Sequence, residues 1–352
     1  MSQKAKKILI TGGAGFIGSN FIHYLLKKDP RLEIINYDKL TYAGNLWNLK
    51  DIENNSNYHF IKGDICDKNN LESAFKEYSP EYVVNFAAES HVDRSIQNPE
   101  EFIKTNVLGV QNLLNISHEN SVQKFIQIST DEVYGSLGNS GFFTEKNHLE
   151  PNSPYSASKA SADLLARAYY KTYSFPAIVT RCSNNYGPYQ FPEKLIPLII
   201  SNCLYGKKIP VYGDGLNIRD WLYVGDHCSA IDAVMQKGEI GETYNVGGNN
   251  EKTNIEIVKT IISILSEKLP KSSISEALIS FVEDRKGHDR RYAIDSSKIR
   301  EELGWKPSMS FEEGIRKTVE WYLNNQKWLN SILTGDYITY YKRVYGHKAE
   351  GK

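Results

Sequence analysis

The chain of 352 residues has only four cysteines, Cys66, Cys182, Cys203 and Cys228, which lie far apart with no CxxC pair. That spacing speaks against a zinc framework and a disulfide scaffold; reduced, mostly buried thiols are expected, with no metal site. Net charge is missing as well, because 42 basic residues are matched by 42 acidic ones. Nothing in that balance draws the chain to nucleic acid or to anionic lipid, so neither is an expected partner. No apolar run approaches the ~20 residues of a membrane span. Met1 to Lys7 is polar and runs straight into a strand, leaving no room for a signal peptide, which predicts a cytoplasmic protein. Internal repeats, low-complexity segments and long flexible linkers are also lacking.

What is present can build a large core: 40% of residues are apolar and 12% aromatic, and the length suits one large domain with a smaller lobe, or two domains. Lys7 to Thr11 reads as a strand. It breaks into Gly12-Gly13-Ala14-Gly15-Phe16-Ile17-Gly18, followed by an amphipathic helix with Phe21, Ile22, Leu25 and Leu26 on one side. Gly13-x-Gly15-x-x-Gly18 fits the dinucleotide fingerprint. The glycines let backbone approach a pyrophosphate, and the helix start offers N–H groups and positive dipole. Alone the match is weak, but the next strand, Glu33 to Tyr37, ends in Asp38, 20 residues after Gly18. A carboxylate there accepts from both ribose hydroxyls of NAD and repels the extra phosphate of NADP, so NAD is the expected cofactor.

Strands and helices then alternate: strand Tyr58 to Lys62, helix Leu71 to Tyr78, a strand-like run Tyr82 to Ala88, a long helix from Asn98-Pro99 through Leu114, and strand Phe125 to Ser129. The alternation predicts an α/β fold, a doubly wound parallel (Rossmann) sheet with right-handed crossovers and a smaller C-terminal α/β substrate-binding lobe.

The strand at Phe125 ends in Thr130, Asp131 and Glu132. Asp and Glu could simply make a soluble turn. In an open parallel sheet, though, ligands bind beyond the carboxyl ends of the strands, which would put all three in the reaction crevice. Further on, Ser153 can cap a helix starting at Pro154, with Tyr155 and Lys159 four apart on one face. An ammonium beside a phenol favours phenolate, as does a positive nicotinamide ring, which would make Tyr155 a base for a hydroxyl proton. After strand Ala177 to Arg181 come a loop at Asn184 to Tyr189, a short helix within Glu193 to Leu204, and scattered polar and aromatic groups, among them Lys194, Tyr212, Arg219, Asn254, Arg285 and His288. Arginines among tyrosines suit a nucleotide diphosphate. Helices are expected at Ser296 to Leu303, capped by Asp295, and at Phe311 to Tyr322.

Taken together these residues resemble the extended short-chain dehydrogenase/reductase superfamily and, within it, the dTDP-glucose 4,6-dehydratase family of the dTDP-rhamnose type of pathway. The broad signals are GGAGFIG at Gly12 to Gly18 and YSASK at Tyr155 to Lys159. The narrower ones are YDKLTYAGN from Tyr37, AAESHVDRS from Ala87, STDEVYG from Ser129, RCSNNYGPYQFPEKLIP from Arg181 and GHDRRYAID from Gly287. The adjacent Asp and Glu separate this family from the 4-epimerases that share its scaffold.

The resemblance implies a sequence of steps. Tyr155 would deprotonate the glucose 4-hydroxyl, held by Thr130, as NAD takes hydride from C4. Glu132 would then remove the C5 proton while a protonated Asp131 donates to the leaving 6-hydroxyl, and hydride would return to C6. NAD would be tightly bound and regenerated, touching Gly12, Gly15, Phe16, Ile17, Gly18, Asp38, Lys39, Leu40, Thr41, Asp64, Ile65, Ala87, Ala88, Ser90, Thr105, Tyr155, Lys159 and Asn185. The sugar nucleotide would meet Ser90, Thr130, Asn184, Lys194, Leu195, Pro210, Tyr212, Arg219, Asn254, Asp284, Arg285 and His288. The same resemblance implies an NAD-binding domain over 1–182 whose core continues with C-terminal segments, a mainly sugar-nucleotide-binding lobe over 183–335 and a tail over 336–352. It also implies a homodimer through the helices Asn98 to Asn120 and Pro154 to Thr172. One departure is Lys286, where the family's turn usually has proline. Other readings are a dehydratase for UDP- or CDP-glucose, a 4-epimerase or a decarboxylase on the same scaffold, or a catalytically silent NAD-binding regulator. Which of Asp131 and Glu132 holds the proton is not legible in the sequence.

Overall fold

The computed structural model describes residues 6–284 and 287–333. Arg285, Lys286 and the 336–352 tail lie outside the described residues. Seven parallel strands form the main sheet: β1 (Lys7–Thr11), β2 (Glu33–Asp38), β3 (Tyr58–Lys62), β4 (Tyr82–Asn85), β5 (Lys124–Thr130), β6 (Ala177–Cys182) and, after three strands of the lobe, β10 (Thr243–Val246). Their spatial order is β10-β6-β5-β4-β1-β2-β3, so the winding reverses between β1 and β4. This is a doubly wound Rossmann sheet, and the reversal opens a crevice at the carboxyl ends. Because helices cover both faces, these strands are near-continuous apolar runs: Ile8, Leu9, Ile10, Ile34, Ile35, Val83 and Val84 are all buried.

The flanking helices are α1 (Phe16–Lys28), α2 (Lys68–Tyr78), the short α3 (Val92–Gln97), α4 (Pro99–Ile103), α5 (Val110–Glu119) and α6 (Pro154–Tyr173). Two later helices also pack on the main sheet, α8 (Val224–Lys237) against α1 and α10 (Ser297–Leu303) beside β10. The lobe adds β7 (Asn184–Tyr186), β8 (Ile209–Tyr212), β9 (Ile218–Tyr223), β11 (Glu251–Thr253) and β12 (Ile279–Val282), with α7 (Leu195–Leu204), α9 (Asn254–Lys268), α11 (Phe311–Asn324) and α12 (Gln326–Ile332). Its strands pair as β11-β9-β7 and β12-β8, around a second core of Tyr186, Ile196, Trp221, Ile257, Phe311 and Tyr322. Trp328 of α12 reaches back and donates to Asn48 Oδ1 at 2.7 Å, joining lobe to sheet domain. Among the described residues no helix is long and apolar enough to cross a membrane.

Several elements differ from the sequence reading. The strand expected over Tyr82 to Ala88 stops at Asn85. There a buried polar ladder crosses three strands: Thr11 donates to Asn85 Oδ1 at 2.6 Å, and Asn85 donates to Gln127 Oε1 at 2.8 Å. The single long helix from Asn98 is α4 and α5 joined by a π turn over Lys104–Gly109, whose extra residue is invisible to apolar spacing. Its Asn106 binds Glu89 through both backbone N–H and carbonyl at 2.9 Å and also donates to Ser158 at 2.8 Å, tying the β4 loop to α6. The loop at Asn184 to Tyr189 contains β7, because its partner β9 lies far along the chain. Asp295 is one residue too early to be the cap of α10: the cap position is Ser296, and Asp295 accepts from Ser297 N at 2.7 Å as an Asx turn.

Candidate active site

A cleft of about 300 Å³ runs along the carboxyl ends of β1, β2, β4, β5 and β6. At one end is the glycine turn. Gly12 adopts φ +68°, and a Cβ there would stand 2.6 Å from Ala87 N, so only glycine lets β1 and β4 approach this closely. Helix α1 starts at Gly15 with no side-chain cap, so its first N–H groups face the cleft without a protein acceptor, the arrangement that binds a pyrophosphate. Asp38 Oδ2 accepts from Ala14 N at 2.9 Å and Oδ1 from Leu40 N at 2.7 Å, which holds the carboxylate at the cleft edge while burial pushes its pKa up. These features fit NAD.

Of the residues expected at the cofactor, Gly12, Gly15, Phe16, Ile17, Gly18, Asp38, Lys39, Thr41, Asp64, Ile65, Ala87, Ala88, Ser90, Thr105, Tyr155, Lys159 and Asn185 all line this cleft. Leu40 does not. It turns back with φ +57°, and its contribution is the backbone N–H given to Asp38.

At the other end β5 delivers Thr130, which caps a 3₁₀ turn over Asp131–Tyr134 by accepting from Glu132 N at 3.3 Å. Asp131 is 1% exposed. Its Oδ1 accepts from the Thr130 hydroxyl at 3.3 Å, and its Oδ2 has no hydrogen-bond partner among the described residues. Burial, then the charges of Glu132 and Asp220, push its pKa well above the usual carboxylate range. Glu132 is only partly buried and lines the cleft. On the facing helix, Ser153 and Ser156 form a reciprocal capping box that starts α6 at Pro154 and aims Tyr155 into the cleft.

The expected ammonium beside the phenol is not what the protein's own residues establish. Lys159 Nζ donates to the carbonyl of Ile128 at 2.6 Å, and burial lowers its pKa even though Asp163 opposes the shift. Burial, then the charge of Glu132, push the Tyr155 hydroxyl well above its ordinary value, with a Thr130 hydrogen bond acting the other way. Helical spacing puts Tyr155 and Lys159 on one face. It does not determine where a long lysine finds its acceptor.

That face carries a third residue, Asp163, which the sequence reading missed although it repeats the four-residue step. Arg181 Nε donates to Asp163 Oδ2 at 2.9 Å and Arg181 Nη1 to Tyr134 Oη at 2.9 Å; Tyr134 in turn donates to Asn245 Oδ1 at 2.8 Å. A buried ion pair therefore ties the turn bearing Asp131 and Glu132 to the helix bearing Tyr155.

A second cleft of about 150 Å³ opens from the first and shares Glu132, Asn184, Glu193 and Lys194 with it. Leu195, Pro210, Tyr212, Arg219, Asn254 and His288 line it. Ser90 and Thr130 line the first cleft, so the expected substrate residues span both. Asp284 lines neither; it holds His288 Nδ1 at 2.5 Å from behind. Arg285 is outside the described residues. Arg219 is anchored by donating to the Ile218 and Asp289 carbonyls at 2.7 and 2.9 Å, and Lys194 Nζ donates to Ser90 O at 2.7 Å. The sequence reading also passed over Glu193, which is buried against both clefts, and over His91 and Asp93 of the second. Each looked like an ordinary polar residue beside an assigned one.

A dinucleotide cleft on a Rossmann sheet, with a Tyr-x-x-x-Lys helix at its reacting end and a second lobe over it, defines an extended short-chain dehydrogenase/reductase. A family model described as GDP-mannose 4,6 dehydratase matches residues 9–318. The dTDP-glucose 4,6-dehydratase of Neisseria meningitidis serogroup B is 53% identical, covering 94% of this chain and 97% of its own. The crystal structure of the Bacillus anthracis dTDP-glucose 4,6-dehydratase in complex with NAD is 55% identical at a TM-score of 0.86, covering 93% of this chain and 100% of that one. That of the Streptomyces venezuelae dTDP-glucose 4,6-dehydratase, also with NAD bound, is 47% identical at 0.87, covering 93% and 99%. The chain belongs to the dTDP-glucose 4,6-dehydratase family.

Substituting Arg181→Met leaves Asp163 charged and buried without a partner. The expected loss is about 3–5 kcal/mol of folding stability, read as a lower urea midpoint. A midpoint within error of the unaltered protein would mean that the pair is not buried in solution.

Proposed function

We propose that the chain converts dTDP-glucose to dTDP-4-dehydro-6-deoxy-glucose by oxidation at C4, loss of water across C5 and C6 and hydride return to C6. The observation carrying this reading is the pair Asp131 and Glu132, both lining the cleft, one almost wholly buried and one partly exposed, at the reacting end of a dinucleotide site. Elimination across neighbouring carbons needs an acid and a base together, and an epimerase needs no such pair. An upward-shifted Asp131 suits the acid that gives its proton to the leaving 6-hydroxyl, and its unpartnered Oδ2 is free to meet that oxygen. Glu132 takes the C5 proton, which the C4 ketone acidifies. Thr130 and Tyr155 hold the 4-oxygen, with Tyr155 accepting its proton. Bound NAD supplies the hydride acceptor and a positive ring that favours the phenolate. Gly12, Gly15, Phe16, Ile17 and Gly18 would hold its pyrophosphate, and Asp38, Lys39 and Thr41 one ribose. Asp64 and Ile65 would take the adenine end; Ala87, Ala88, Ser90, Thr105, Lys159 and Asn185 would take the rest. Lys194 and Arg219 supply positive charge for the substrate diphosphate, with Asn184, Leu195, Pro210, Tyr212, Asn254 and His288 around it.

The division into an NAD-binding domain over 1–182 and a sugar-nucleotide lobe from 183 belongs to the same reading, with β10 returning to complete the first domain's sheet. So does a homodimer, supported by Ile103 and Leu108 on the 98–120 helix and Leu164 on α6, which stand 48%, 53% and 54% exposed. If those helices pair, Leu108→Glu with Leu164→Glu should halve the mass seen by light scattering; an unaltered mass would dismiss this interface.

Mixing the protein with dTDP-glucose in deuterated water, with no cofactor added beyond what it carries, should yield product lacking one water and holding one deuteron at C5. An unchanged or epimerised sugar would end the proposal. Glu132→Gln should still oxidise C4 but stall, leaving the 340-nm absorbance of the hydride-carrying cofactor standing. No absorbance would remove Glu132 from the later step.

The pH dependence follows from Asp131. Its pKa is raised, so the required acid form is present below that pKa and is lost as pH rises through it. Turnover should fall on the alkaline side, and Asp131→Asn should lose that limb together with about 10²–10⁴ in elimination rate. An alkaline limb surviving in the variant would assign it to another group.

A further inference from the structure

Two segments form lips of the cofactor cleft. One, Lys39 to Asn45, leaves β2 beside Asp38; the other, Gln190 to Lys194, leads into α7. Thr41 and Gly44 of the first and Phe191 and Glu193 of the second line the cleft. Though far apart in sequence, the lips touch: the rings of Tyr42 and Phe191 meet edge-on at 5.7 Å. Arg94 of α3 stands between them. Its guanidinium carbon lies 3.7 Å from the centre of the Tyr42 ring, and its Nε donates to Glu193 Oε2 at 3.1 Å. Burial, then the charge of the same Glu193 carboxylate, raise the Tyr42 hydroxyl well above its ordinary pKa. Glu193's side chain is 2% exposed and Arg94's 24%, so solvent screens the pair poorly. Arg94 and Tyr42 line neither cleft, so they act from behind the lining rather than on the reacting carbons.

The chemistry gives this cluster a task. Hydride goes back to the sugar it came from, so the cofactor ends each cycle as it began and exchange with solution serves no step. A cofactor kept between cycles needs a barrier to leaving. In a crevice open at the edge of a sheet, that barrier depends on what ties the lips together.

We propose that Arg94, Tyr42 and Glu193 form a staple that holds the two lips of the cleft together over NAD and sets the rate at which it leaves. The inference rests on the cofactor reading above. Arginine suits the position because its planar group stacks on a ring with one face while its edge donates to a carboxylate, which a lysine cannot do at once. Asp93, the neighbour of Arg94 on α3, accepts from the Tyr212 hydroxyl at 3.2 Å in the second cleft, so the same short helix also braces the substrate lobe.

The test is exchange of bound cofactor. Protein loaded with NAD is freed of excess nucleotide and mixed with deuterium-labelled NAD, and the bound pool is followed by rapid gel filtration and mass spectrometry. Arg94→Met and Glu193→Gln should each exchange about tenfold faster or more than the unaltered protein, a barrier change of about 1.4 kcal/mol or more. Tyr42→Phe, which keeps the stacking face and loses only the hydroxyl, should stay within about threefold. If Arg94→Met and Glu193→Gln both exchange within about twofold of the unaltered protein, the staple does not hold the cofactor. If Arg94→Met does not fold, Glu193→Gln, which preserves volume, decides on the same criterion. An unaltered protein that takes up no NAD would overturn the cofactor reading and the staple with it, an outcome plainly different from fast exchange.

Discussion

A carboxyl group kept out of water beside one that is not is the interaction on which the reacting end of this molecule depends. Asp131 and Glu132 are neighbours in the chain, yet the 3₁₀ turn that Thr130 caps sends successive side chains about a third of a turn apart. Both line the cleft, the first almost wholly buried and the second partly exposed. Burial raises the proton affinity of the first, and the negative charge of the second adds to it. Different surroundings push the two proton affinities apart, which suits one to act as acid and the other as base.

That turn would be of little use if it could shift against the helix that faces it. The Asp163–Arg181–Tyr134 chain spans α6, β6 and the turn, with every contact at 2.9 Å or less, and Asn245 carries it on into β10. The last strand of the sheet, which comes from the C-terminal half of the chain, thus helps to hold the turn bearing Asp131 and Glu132. It also explains why segments remote in sequence return to the first domain. The π turn in the 98–120 helix works alongside it, with Asn106 holding the β4 loop and α6 in register beside the cleft.

Tyr155 and Lys159 show how a correct spacing can mislead about energetics. The protein's own groups oppose ionisation of Tyr155, through burial and through Glu132, while Lys159 is engaged with the Ile128 carbonyl. When NAD is bound, its positive nicotinamide ring would favour the phenolate.

Local chemistry made much of this protein legible in advance. The glycine turn, Asp38 at the end of β2, the Ser153 cap, the Tyr155–Lys159 step and the alternation of strands and helices depend on contacts between near neighbours, so the residue order determined them. The π turn, β7 and the early end of β4 were not legible, because each is decided by a partner far away in the chain. The same holds for the site. The sequence determined which residue types reach the carboxyl ends of the strands, and only the tertiary structure decided that Asp131 is buried, that Lys159 turns to a carbonyl, and that Arg94 and Glu193 meet behind the cleft lining. Burial and long-range charge are properties of the packed chain, and they set proton affinity where residue identity alone sets only its starting value.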